Sequence, residues 1–127
     1  MAEQENLRIV KQIVGEYTEG ELPTPPEELL AENVEWIVSG SIDDPFVGHY
    51  HGREKVKEVF AKFSELTEVQ SGYKIEDYIT QGDKVIVKGH EQLRFKHSGR
   101  VVEGSFAYFV TLKDGKIVKF HAIYGSP

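Results

Sequence analysis

The sequence predicts an α+β half-open cone, in which three helices cover the concave face of a curved, mainly antiparallel sheet. Three observations lead there. From Lys84 to Tyr124 apolar and polar side chains alternate through three successive strands joined by tight turns. Three earlier segments carry helical spacing or helix-start signals. Helices can cover only one face of so curved a sheet.

Leu7, Val10, Ile13, Val14 and Tyr17 recur at helical spacing and predict an amphipathic helix from about Glu3 to Glu19, ended by Gly20. Thr24-Pro25-Pro26-Glu27 reads as a capping box with proline in the first turn, opening a short helix that carries Leu29 and Leu30 inward. Val34 to Val38 is a strand with Val34, Trp36 and Val38 on one side. The turn-rich "SGSIDDPFVGHYHG" is a loop with room for a short strand at Phe46 to Tyr50. Arg53 to Leu66 returns to helical spacing through Val56, Val59, Phe60, Phe63 and Leu66.

Tyr73 to Thr80 is a strand, and Gln81-Gly82-Asp83 turns the chain into the long strand that follows. His97-Ser98-Gly99-Arg100 makes the next hairpin and Lys113-Asp114-Gly115-Lys116 the last.

Length and composition narrow the function. The 127 residues form one domain, 1–127, long enough to stand without staples. The absence of cysteine excludes disulfides, thiolate metal sites and a cysteine nucleophile. A net charge of −6 argues against nucleic-acid and anionic-membrane partners. No apolar run approaches the ~20 residues of a membrane span, and the acidic, amphipathic start is unlike a signal peptide. The expectation is a soluble cytoplasmic protein.

Strand parity assigns the side chains to faces. One face of the long strand holds Val85, Val87, Gly89, Glu91, Leu93 and Phe95, so that Glu91 is a single carboxylate in an apolar series. The next strand adds Phe106, Tyr108, Val110 and Leu112, and the last adds Val118, Phe120, Ala122 and Tyr124. With Trp36 these residues predict an aromatic pocket for a hydrophobic small molecule, and Gly89, Gly104 and Ala122 are expected to leave room over it. Pairing around Ser98-Gly99 would set Glu91 opposite Phe106 and diagonal to Tyr108. Glu91 is the candidate general base or hydroxyl anchor, and burial should raise its pKa. Its alternative is a residue solvated at a wide mouth or paired with a lysine.

Asp77 depends on the turn. Three residues at Gln81 to Asp83 place it on the cavity face with Tyr73, Ile75 and Ile79, the geometry favoured here, while a two-residue turn sends it outward. Tyr17 and Phe60 pack from the helix side. His49 and His51 share one side of an extended segment, but the helical His-x-x-x-His spacing of zinc sites is missing, so no metal is expected. Asp43-Asp44-Pro45 reads as a solvated turn. No phosphate loop or nucleophile elbow appears. Ile86, Ala107, Phe109 and Ile123, with His90, Gln92 and His121 among them, give the outer face an interface-like composition, and a homodimer through it is expected.

The order of elements, "GHYHGREKV" opening the third helix, "QGDKVIV" at a hairpin and "DGKIVKF" at the last turn together resemble the SnoaL-like polyketide-cyclase group. That group belongs to the nuclear-transport-factor-2-like superfamily, alongside ketosteroid isomerases and limonene epoxide hydrolase. The likeness runs from about Leu7 to Tyr124 and implies the cone fold and a dimer. Aligned on the ketosteroid isomerases, whose site is a standard example of carboxylate tuning, the base, hydroxyl donor and acid positions hold Trp36, Ile13 and Tyr108. Of the epoxide-hydrolase aspartate–arginine–aspartate set, Glu91 retains one carboxylate, while Gly89 and Ala122 replace the other two. Gly125 stands where many cyclase-like members have an aspartate. Both catalytic sets are therefore mostly absent.

The resemblance implies a SnoaL-like pocket protein for a cyclic or aromatic ligand. Its enzymatic form would be a cofactor-free isomerase, cyclase or hydrolase with Glu91 as base and Tyr108 as oxyanion donor. Trp36, Phe106, Phe120, Tyr124, Gly89 and Asp77 would contact the ligand. The alternatives are a non-catalytic binding or dimerisation module, and an interaction domain using the outer face.

Overall fold

The computed structural model describes residues 2–14, 27–40, 47–69 and 74–125. Helix α1 spans Ala2–Val14, and a 3-10 turn spans Glu27–Leu29. Strand β1 (Leu30–Ser39), strand β2 (Gly48–His51), helix α2 (Arg53–Leu66) and strand β3 (Thr67–Val69) follow. Strands β4 (Lys74–Gln81), β5 (Lys84–Phe95), β6 (Val101–Lys113) and β7 (Lys116–Tyr124) complete the order. The expectations for Tyr17, Gly20, the Thr24-Pro25-Pro26 start, Asp43-Asp44-Pro45 and Tyr73 fall outside the described residues.

All the described strands join one curved, unclosed sheet in the order β2-β1-β7-β6-β5-β3, with β4 also pairing to β5. Among the described strands, β1 and β7 alone run parallel. The α+β class and mainly antiparallel sheet are as expected, but the described helices are two α-helices and one 3-10 turn. Leu30, expected on a short helix, is fully buried as the first residue of β1, where it pairs with Ile117. The brief β3 also went unread in the sequence, since three residues carry too little pattern.

Helix α1 buries Asn6, Ile9, Val10, Ile13 and Val14. The Glu3 carboxylate accepts a hydrogen bond from the Gly82 amide (2.7 Å), which ties the start of α1 to the β4–β5 turn. Helix α2 occupies the predicted Arg53–Leu66. Its start is anchored where the Gly52 amide donates to the Val34 carbonyl, and its end where Lys96 donates to Leu66. The core between helices and sheet is closed by Val34, Val56, Val85, Val110, Leu112 and Ile117.

Turn chemistry fixes the registers. Gln81 pairs with Lys84, so the β4–β5 turn is the two-residue Gly82-Asp83, with Gly82 at φ 60 in the first position as a II′ turn requires. Asp114 and Gly115 both have positive φ and form the last hairpin as type I′. Between β5 and β6 the Phe95 amide donates to Arg100, leaving four residues in the loop.

The two-residue turn overturns the favoured reading of β4. Tyr78 and Thr80 pair with the inward-facing Val87 and Val85, while Ile79 pairs with Ile86 and is 50% exposed. Asp77 pairs with Lys88 and is exposed. A bulge between Ile75 and Asp77 then returns Ile75 to the inner face opposite Gly89. A second bulge lies between Thr111 and Leu112, so that Ile117, rather than the expected Val118, fills the core beside Leu112.

Candidate functional site

The inner face of β5, β6 and β7 is built in rows across the sheet. Val85, Val110 and Phe120 form one row, Val87, Tyr108 and Ala122 the next, and Gly89, Phe106 and Tyr124 the third. Glu91 and Gly104 continue the series. Trp36 on β1 joins the first row through its pairing with Phe120. The described inward positions of β5, β6 and β7 include no lysine or arginine.

Aromatic rings connect these rows. Phe106 stacks on Tyr108 with centroids 4.4 Å apart, Tyr108 meets Phe120 at 5.0 Å, and Phe120 stacks flat on Trp36 at 4.0 Å. Tyr124 flanks the column, edge-on to Tyr108 at 6.2 Å and tilted to Phe106 at 6.5 Å. Phe60 of α2 abuts Trp36 edge-to-face at 5.2 Å, as expected of a residue packing from the helix side. Offset and edge contacts of this kind each add about 0.5–1.5 kcal/mol beyond area burial.

Glu91 is 9% exposed, and its Oε2 is fully withdrawn from solvent. It lies at a seam: β5 pairs with β4 as far as His90 and with β3 from Leu93 onward. Across the sheet its partner is Gly104, not Phe106, because the longer hairpin loop slides the register by two residues. Phe106 becomes the diagonal neighbour. Tyr108 stands four residues from Gly104 along β6, roughly 13 Å at strand rise. Parity survives this shift, so Glu91, Phe106 and Tyr108 keep a common face.

The room expected over Gly89 is taken. A Cβ built there would stand 2.6 Å from Phe106 Cζ and would collide with the Lys74 carbonyl of the bulged β4. Gly89 is a seat for the Phe106 ring rather than an opening. Ala122 is likewise buried, between Val38 and Tyr108. Asp77, on the outer side, does not join this set.

Two buried polar residues escaped the sequence reading. Asn6 lies on the stripe of Val10 and Ile13, and that i, i+4, i+7 relation was the available signal. Thr67 closes α2 by donating its hydroxyl to the Phe63 carbonyl at 2.6 Å, a structural role. His49 and His51 pair with Ile37 and Glu35, and among the described residues no three His, Asp or Glu side chains could hold a metal ion. On the outer face the Ser39 hydroxyl and His121 Nε2 are 2.9 Å apart.

The SnoaL-like domain family matches residues 17–120, most of the chain, from before β1 to the middle of β7. The protein belongs to that family. No curated protein matches this SnoaL-like chain significantly. Among solved structures, a nuclear-transport-factor-2-like protein from Burkholderia xenovorans is 25% identical with a TM-score of 0.78, covering 95% of this chain and 89% of that one. A candidate SnoaL-like polyketide cyclase from Mesorhizobium loti is 19% identical with a TM-score of 0.67, covering 95% and 94%. A protein of ketosteroid isomerase-like fold from Catenulispora acidiphila, solved with trimethylamine, is 17% identical with a TM-score of 0.73, covering 92% and 85%. These neighbours place the SnoaL-like chain in the nuclear-transport-factor-2-like fold. Among its described residues no helix is long and apolar enough to cross a membrane.

Proposed function

We propose that the SnoaL-like protein binds a hydrophobic cyclic or aromatic small molecule on the inner face of its cone, in the cytoplasm and without a cofactor. One observation carries the reading: Glu91 is a buried carboxylate on the same face as the Phe106, Tyr108, Phe120 and Trp36 column. A buried acid is costly to the fold, and apolar walls with a few polar groups are the usual form of a ligand site. The trimethylamine bound by the Catenulispora protein supports small-molecule capture by this fold.

In its enzymatic form the site performs acid–base chemistry. Glu91 takes a proton from carbon next to a carbonyl and returns it to a neighbouring carbon. Tyr108 lies roughly 13 Å away along the ladder, too far to hydrogen-bond the oxyanion of that same carbonyl, so it would orient a substrate of two or more rings by donating to an oxygen at its far end. Trp36, Phe120 and Tyr124 supply the flanking ring surfaces.

A thermal-shift panel of cyclic ketones, phenols and fatty acids tests this reading. Binding should raise Tm for at least one ring compound, with turnover lost in Glu91→Gln if the protein is an enzyme. A panel without any shift would refute the ligand reading.

A second reading has its own support on the opposite face. Ile79, Ile86, Phe109, His121 and Ile37 line up across five strands, with Phe109 42% and Ile123 39% exposed. This row suits a homodimer interface, and a dimerisation module without catalysis would need no more than that.

A further inference from the structure

We infer that a second copy of this chain covers the outer sheet face in one register, with the two-fold axis between β6 and β7 and parallel to the strands, so that Lys84 of each copy meets the partner's Glu35. This rests on the dimer reading above and fixes how the two faces meet. Three outer rows cross the sheet from β5 to β1. The central one holds Ile86, Phe109, His121 and Ile37. On one side of it lie Lys84, Thr111, Lys119 and Glu35, and on the other Lys88, Ala107, Ile123 and Ser39. Phe109 and Ile123 stand exposed, and a covering partner would withdraw them from water. The charges are unevenly spread, with lysines on β5 and β7 and the one acid of these rows, Glu35, on β1. Lys88 has Asp77 beside it on β4, whereas the strand neighbours of Lys84 are the neutral Gln81 and Thr111.

Charge decides among the ways two such faces can meet. Sheets pack about 10 Å apart with their strands nearly aligned, and a two-fold axis makes every contact twice. An axis along β6 sets Lys84 over the partner's Lys119. One along β7 sets Lys119 over the partner's Lys119. One across the strands, along the Phe109 row, sets Lys84 over the partner's Lys88. Each of these presses like charges together. The axis between β6 and β7 lays β6 over the partner's β7 and β5 over the partner's β1. Lys84 then meets the partner's Glu35, Lys88 the partner's Ser39 and Lys119 the partner's Thr111, so no lysine faces another. The apolar row closes in the same step, Phe109 against the partner's His121 and Ile86 against the partner's Ile37. The Ser39 hydroxyl, 2.9 Å from His121 Nε2, fixes that ring for the contact.

Charge reversal tests the register by sedimentation of the whole chain. Lys84→Glu and Glu35→Lys should each weaken the dimer by a factor on the order of ten or more, because each sets like charges together twice. An equimolar mixture of the two variants should dimerise about as tightly as the parent, since in the mixed dimer both pairs are attractive again. The chain carrying both reversals should do the same. Should either reversal fail to fold, Lys84→Gln and Glu35→Gln decide: each should weaken the dimer, and the two combined no more than either alone. Single reversals that dimerise like the parent, a mixture no tighter than its components, or additive neutral variants would overturn the register and leave the dimer reading standing. A parent chain that stays monomeric would overturn both.

Discussion

Gly89 and Phe106 face each other across β5 and β6, and the Phe106 ring fills the space where a Gly89 side chain would stand. The Lys74 carbonyl approaches the same point from the bulged β4. Gly89→Ala should therefore destabilise the protein by about 1–3 kcal/mol, as overpacking does. Trimming the ring in Gly89→Ala/Phe106→Leu should recover only part of the loss, because the carbonyl is backbone and cannot swing away. Urea midpoints measure both variants. A Gly89→Ala midpoint equal to the parent's would mean this face is loosely packed.

Glu91 should reveal itself when its charge is removed. Its carboxyl is buried on the inner face, with Oε2 withdrawn from solvent. Taking a charge out of water costs stability that a neutral amide of the same shape does not carry to the same degree. Glu91→Gln should therefore be more stable than the parent at pH 7. Urea midpoints of the two proteins check this, and a variant less stable than the parent would show that the fold needs the carboxylate.

Glu5 gives a pH dependence whose sign is known. Its hydrogen bond from Arg8 holds its pKa below the usual carboxylate range, so any stability it adds is present above the unfolded value and lost as pH falls through the folded one. The pair is solvent-exposed on α1, where such bridges contribute little. Glu5→Gln should leave the denaturation midpoint at pH 7 unchanged, which separates it from Glu91.

Trp36 is the only tryptophan and lies flat on Phe120, nearly parallel at 4°. Its fluorescence should be blue-shifted in the folded protein and should shift to the red on unfolding. Removing the ring in Trp36→Ala should cost about 3–5 kcal/mol, and Trp36→Phe distinctly less because one stacked ring remains. A ligand seated on the aromatic column should also perturb this emission. No change at saturating ligand would place binding away from Trp36.

The outer face predicts the assembly. Phe109→Lys should convert a dimer into a 14.4 kDa monomer in sedimentation without lowering thermal stability beyond the loss of association. Its exposed side chain has little folded-state packing to lose within the subunit. A parent protein that is already monomeric at micromolar concentration would refute the interface.

Much of this protein was legible in the sequence because period-2 alternation and turn residues are local signals. The face shared by Glu91, Phe106 and Tyr108 and the outward row through Phe109 and His121 follow from parity, and the α2 span follows from helical spacing. Parity does not depend on how far one strand slides by an even number of residues, so the face of Glu91 survived an error in its partner. Tertiary structure decided what parity leaves open. The length of the Gly82-Asp83 turn sent Asp77 and Ile79 outward, and two bulges brought Ile75 and Ile117 in. The use of Gly89 was decided the same way, since only the approach of Phe106 and the Lys74 carbonyl shows that its missing side chain is already replaced. Bulges and close approaches satisfy sheet curvature and core packing at once, and those demands come from strands distant in the chain.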